Sequence, residues 1–81
     1  MNIFVGNLNF RTTEEDLQSH FEQFGEVSSA KIITDRNTHR SRGFGFVEMA
    51  DDSEGEKAVS ELNGKDFNGR ELTVNKANER K

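Results

Sequence analysis

The stretch Arg42-Gly43-Phe44-Gly45-Phe46-Val47-Glu48-Met49 is apolar on both of its alternating sides, and this most limits how the chain can fold. Successive side chains of a strand point to opposite faces, so Val47 and Met49 share one face and Phe44, Phe46 and Glu48 the other. Asn2–Gly6 repeats the arrangement, with Ile3 and Val5 on one side and Phe4 on the other. The aliphatic and methionine side suits a core. Three phenylalanines on the remaining side exceed what so small a core can take in, and an exposed apolar patch marks a binding surface. One phenylalanine in a strand would more often be core; three of one parity, opposite an aliphatic parity, are not explained that way.

The other elements follow from period and punctuation. Thr12 or Thr13 can cap a helix, and Thr12-Thr13-Glu14-Glu15 supplies a capping box with an acidic first turn. Leu17, Phe21 and Phe24 then recur at helical spacing until Gly25. Val27–Thr34 reads as a strand, with Ala30 and Ile32 facing one way and Lys31 and Ile33 the other. A polar, basic loop covers Asp35–Ser41, and a strand covers Arg42–Met49. A helix over about 52–62 shows Gly55, Ala58, Val59 and Leu62 on one face, small where it approaches a sheet, and Asn63-Gly64 stops it. Glu71–Asn75 is a last strand, with Leu72 and Val74 inward. The order βαββαβ predicts an α+β, ferredoxin-like (split βαβ) domain: a four-stranded antiparallel sheet with both helices on one face.

Composition bounds the rest. Eighty-one residues make one domain, assigned to 1–76, with a basic tail at 77–81 expected to fray. Hydrophobic residues (31%) barely match charged ones (32%), so patterning, not apolar content, argues for a fold. Cysteine is absent and His20 and His39 stand far apart, so neither a disulfide framework, a metal cluster nor a cofactor is expected. No apolar run approaches the roughly 20 residues that cross a bilayer, and Met1-Asn2-Ile3 opens no signal peptide. The expectation is a soluble, cytoplasmic monomer.

The net charge of −4 counts against a nucleic-acid partner, but its distribution does not. Acids concentrate in Glu14–Glu26 and Asp51–Glu61, whereas Lys31, Arg36, Arg40 and Arg42 face Asp35 alone, and Lys76, Arg80 and Lys81 face Glu79.

Arg42–Met49 resembles the eight-residue ribonucleoprotein signature of the RNA-recognition motif at all but its last position, where Met49 replaces the usual aromatic. Ile3-Phe4-Val5-Gly6-Asn7-Leu8 resembles the partner six-residue motif. The likeness runs from Asn2 to about Lys76, and is greatest to short stand-alone bacterial members and to the similar domains of plant glycine-rich proteins. It implies single-stranded RNA binding: Phe4 and Phe46 stack two successive bases, Phe44 packs against the intervening sugars, and Arg42 pairs with a phosphate. Lys31, Thr73, Asn75, Lys76 and Asn78 match positions that read base edges. Stacking ignores the sugar, so single-stranded DNA is not distinguished. His20 stands where an aliphatic residue is usual and reads as a histidine at the rim of the core.

Two other classes of protein share parts of this pattern. A protein-interaction module on this fold typically has degraded face aromatics, and here they are intact. A small enzyme such as an acylphosphatase would need a phosphate loop, and the surroundings of Asn7 and Arg11 lack that pattern. Gly43 and Gly45 lie inside a strand with no helix following at once, which argues against a nucleotide-cofactor loop. They are expected to let the second helix approach the sheet. No catalysis is expected.

Overall fold

Alternating apolar residues carry three segments into one sheet: Asn2–Gly6 (β1), Val27–Thr34 (β2) and Ser41–Met49 (β3). The computed structural model describes residues 1–39 and 41–77, and of Ser41 and Arg42 the backbone. Helices α1 (Glu14–Glu22) and α2 (Asp52–Leu62) follow β1 and β3. Beyond α2 come two short strands, β4 (Asp66–Phe67) and β5 (Arg70–Glu71), and then β6 (Thr73–Lys76). The main sheet runs β2-β3-β1-β6, with every neighbouring pair antiparallel. The ferredoxin-like arrangement is therefore as the pattern predicts, and β1 and β3 are its central strands.

Ile3, Val5, Val47, Met49, Leu72 and Val74 from the sheet side meet Leu17 and Phe21 of α1 and Ala58 and Leu62 of α2 in one core. Met49 is fully buried, so the missing aromatic of the signature is a change within the core. Ala77, just past β6, donates its N–H to the Asn2 carbonyl at 2.9 Å.

Both helices begin on side-chain caps. The Thr13 hydroxyl accepts from the Asp16 N–H at 3.1 Å, and the Asp16 carboxylate accepts from the Thr13 N–H at 3.3 Å. Thr12, the other candidate, is buried and accepts from the Asn68 side-chain amide at 3.0 Å. Asp51 caps α2 by accepting from the Glu54 N–H at 3.1 Å. At its end Asn63 does two jobs: its N–H donates to the Val59 carbonyl, and its side-chain oxygen accepts from the Val74 N–H at 3.0 Å, on the edge strand β6.

Two expectations need correction. The last strand does not run unbroken over Glu71–Asn75: Arg70 and Glu71 pair with Phe67 and Asp66, and only from Thr73 does the chain join the main sheet. Asn68 (φ 53°) and Gly69 (φ 83°) turn this small hairpin, because a two-residue turn of the I′ kind needs two left-handed residues. Nor do Gly43 and Gly45 make room for α2. A Cβ on Gly45 would collide with the Lys31 carbonyl of β2, beside a register shift in that strand, and one on Gly43 would press on Phe10. On α2 it is Gly55 that is needed for close approach, and what it meets is the Met1 side chain.

Candidate nucleic-acid interface

The register of the central strands sets Phe4 directly opposite Phe46 and places Phe44 opposite Gly6. These three side chains have the parity opposite to the core, so they stand on the sheet face that the helices leave open. Phe4 and Phe44 rings lie 5.9 Å apart, Phe4 and Phe46 5.8 Å, and Phe44 and Phe46 6.4 Å, the last two pairs edge to face. Such pairs contribute about 0.5–1.5 kcal/mol each beyond their burial, so the rings hold one another in place before any ligand arrives. Phe46 remains 38% exposed, and Phe4 and Phe44 are half-buried. The result is a pre-ordered apolar platform in water.

Cross-strand partners share a face, which locates the polar residues around the rings. Exposed Lys31 is opposite Phe46, and exposed Asn75 is opposite Phe4, so both flank the platform. Thr73 is opposite Gly6 and joins them. Lys76 is opposite Ile3, on the core-facing parity, and is not brought into that row. Glu48, opposite Asn2, puts a carboxylate on the open face at the end of β3 away from Arg42. Arg42 has its backbone in β3; its side chain, Arg40, Asn78 and the rest of the tail lie outside the described residues.

Sequence reasoning missed three residues beside the platform. Phe10, in the turn before α1, is 66% exposed. Arg70 donates to the Asn7 side-chain oxygen at 2.8 Å, and the Asn7 amide donates to the Glu71 carbonyl at 2.6 Å, with Asn7 held at φ 60°. An aromatic in a loop, outside any helical or strand period, was the available signal for Phe10.

His20 lies elsewhere, between α1 and the β4–β5 hairpin. Its ring stacks on Phe67 with centroids 4.1 Å apart and planes at 13°, and edges against Phe21. The Gln23 amide donates to Nδ1 at 3.2 Å, which puts the proton of the neutral ring on a buried Nε2 without a partner. Desolvation pushes its pKa below the ordinary value. That is the rim-of-core placement expected of it. Among the described residues no group of His, Cys, Asp or Glu could hold a metal ion, and no helix is long and apolar enough to cross a membrane.

Fold and site together define a split βαβ domain with an aromatic, uncovered sheet face. The chain belongs to the RNA recognition motif family, whose model matches residues 3–73, a family of binding modules and not of enzymes. It is 50% identical over 80 residues to RbpD of Nostoc sp., covering 99% of this chain and 85% of that one. Glycine-rich RNA-binding protein 8 of Arabidopsis thaliana is 52% identical over 77 residues, 95% of this chain and 46% of the plant protein, so the likeness takes in about half of the latter. Among solved structures, RNA Binding Protein PG1 superposes with a TM-score of 0.96 at 56% identity, covering 100% of this chain and 98% of that one. The Sxl-lethal protein/RNA complex gives 0.91 at 26% identity, covering 99% of this chain and 48% of its own.

Proposed function

We propose that this domain binds single-stranded RNA, stacking two successive bases on Phe4 and Phe46 while Phe44 packs against the sugars between them. The observation that carries the reading is the three-ring cluster on the uncovered sheet face. Aromatic platforms of this kind hold bases by their π-faces, each worth about 1–3 kcal/mol. The relative whose name calls it RNA-binding and the neighbour solved with RNA support the same reading.

Arg42 pairs with a phosphate in this scheme, and Lys31, Thr73, Asn75 and Asn78 contact base edges. Lys76, on the other parity of β6, is better suited to a phosphate at the sheet edge. Glu48 and the acidic helices repel the backbone from the wrong places, so the strand keeps to the Lys31 and Arg42 side. One copy suffices, because the platform is complete within one chain. Stacking does not select the sugar, so single-stranded DNA binds by the same rings.

The test is a titration with single-stranded RNA on Phe46→Ala, alongside a thermal melt. Binding is expected to weaken by about 1–3 kcal/mol, the loss of one stacked base, with the melting temperature nearly unchanged. A folded Phe46→Ala that binds RNA like the parent would remove the sheet from the interface and make a protein partner the better explanation for the exposed rings.

A further inference from the structure

The platform does not end at Phe4 and Phe44. Both rings also line a concavity of about 340 Å³ whose other walls include Asn7, Phe10, Gly43 and Arg70. That volume is at the small end of the range, about 300–1,000 Å³, typical of ligand sites.

Its walls are built, not incidental. Phe10 is the most exposed large apolar side chain described, yet the turn that carries it is fixed at both ends. The Leu8 N–H donates to the Gly43 carbonyl at 2.8 Å, tying the loop to β3. Beyond the ring, the Asn9 side chain accepts from the Arg11 N–H at 2.9 Å, and the Thr12 N–H donates to the Asn9 carbonyl. Gly43, at φ 85°, has no side chain to displace the ring; a Cβ there would come within 3.3 Å of it. In the same lining, Asn7 holds the Arg70 guanidinium with a 2.8 Å hydrogen bond and is itself anchored to β5. One of the five guanidinium donors is used in this way, which leaves others for a ligand.

An exposed ring and an oriented guanidinium lining one concavity, which is continuous with an aromatic platform, suit a flat group bearing hydrogen-bond acceptors. We propose that this concavity is a third nucleotide subsite, in which a base of the same strand stacks on Phe10 and accepts hydrogen bonds from Arg70. The inference rests on the sheet being the RNA platform, and it extends the footprint past the central strands to the β1–α1 turn and the β4–β5 hairpin.

The experiment pairs length with mutation, titrating random-sequence dinucleotide and octanucleotide pools of RNA against the parent, Phe10→Ala, Arg70→Gln and Phe46→Ala. Phe10→Ala is expected to weaken octanucleotide binding about tenfold, as for one lost stacked base, and to leave the dinucleotide unchanged. Arg70→Gln should act in the same direction, whereas Phe46→Ala should weaken both ligands. Both new positions are exposed, so melting temperatures should hold; if Phe10→Ala fails to fold, Arg70→Gln decides by itself. Octanucleotide binding equal to the parent in Phe10→Ala and Arg70→Gln, with Phe46→Ala impaired, would overturn the subsite and leave the platform standing. Equal losses on both lengths would also overturn it, since Phe10 would then act only through the shape of the platform. If Phe46→Ala binds like the parent, the platform reading fails and takes the subsite with it.

Discussion

The two faces of β1 and β3 are made by alternating residues of the same two strands and differ in what covers them. On one face Ile3, Val5, Val47 and Met49 are fully buried against the helices. On the other Phe4, Phe44 and Phe46 keep their rings at the surface, although each is as apolar as any core residue. Hydrophobicity alone does not tell these sets apart; parity and the position of the helices do. A strand whose two faces are both apolar can give one face to the core and, in the function proposed, the other to a ligand.

The sharpest way to break this division is to truncate a ring on each side of the sheet. Phe21, the fully buried ring that α1 turns into the core, should cost about 3–5 kcal/mol of stability on replacement by alanine, read from urea unfolding. The fraction still folded should bind RNA as the parent does. Phe46→Ala is its mirror image. An inverted result, with Phe46→Ala unfolding the domain and Phe21→Ala leaving it intact, would mean that the faces have been assigned the wrong way round.

A smaller effect lies at the start of α1. Thr13→Ala removes one half of the capping box and should cost about 1 kcal/mol in unfolding experiments, with no change in RNA affinity. Thr13→Ser should restore most of it. A loss of binding in a folded Thr13→Ala would show that the helix layer and the open face are coupled.

The smallest effect concerns His20. Its folded pKa lies below the ordinary value because burial disfavours the charged ring. The unfolded chain therefore takes up this proton more readily, and stability falls as the pH drops through about 6.5, until the folded pKa is passed. Parent protein should lose more stability between about pH 7 and pH 5.5 than His20→Gln does, with binding by the folded protein equal in both. Identical pH profiles for the two would remove His20 as the cause.

Most of the fold was legible because long alternation and helical spacing are local signals. The exceptions share a cause, namely contacts distant in the chain. Thr12 and Thr13 are equivalent caps by sequence; what decides is that Thr12 is already buried and bonded to Asn68, fifty-six residues on. The β4–β5 hairpin has strands of two residues, too short to show a period, and Glu71–Asn75 fits a continuous strand equally well. Gly45 answers to a register shift in β2 that no local pattern marks. At the site, the rings were readable from parity, while Phe10 and Arg70 were not, since one sits in a turn and the other reaches Asn7 from sixty-three residues away.

The most direct measurement follows every phenylalanine at once. Ring signals of phenylalanine-labelled protein would be assigned by NMR and followed as single-stranded RNA is added. Stacked bases should shift the Phe4, Phe44 and Phe46 rings, and leave Phe21, Phe24 and Phe67, which belong to or pack against the core, in place. Movement confined to Phe21, Phe24 and Phe67, with the three sheet-face rings unmoved at saturation, would contradict the account.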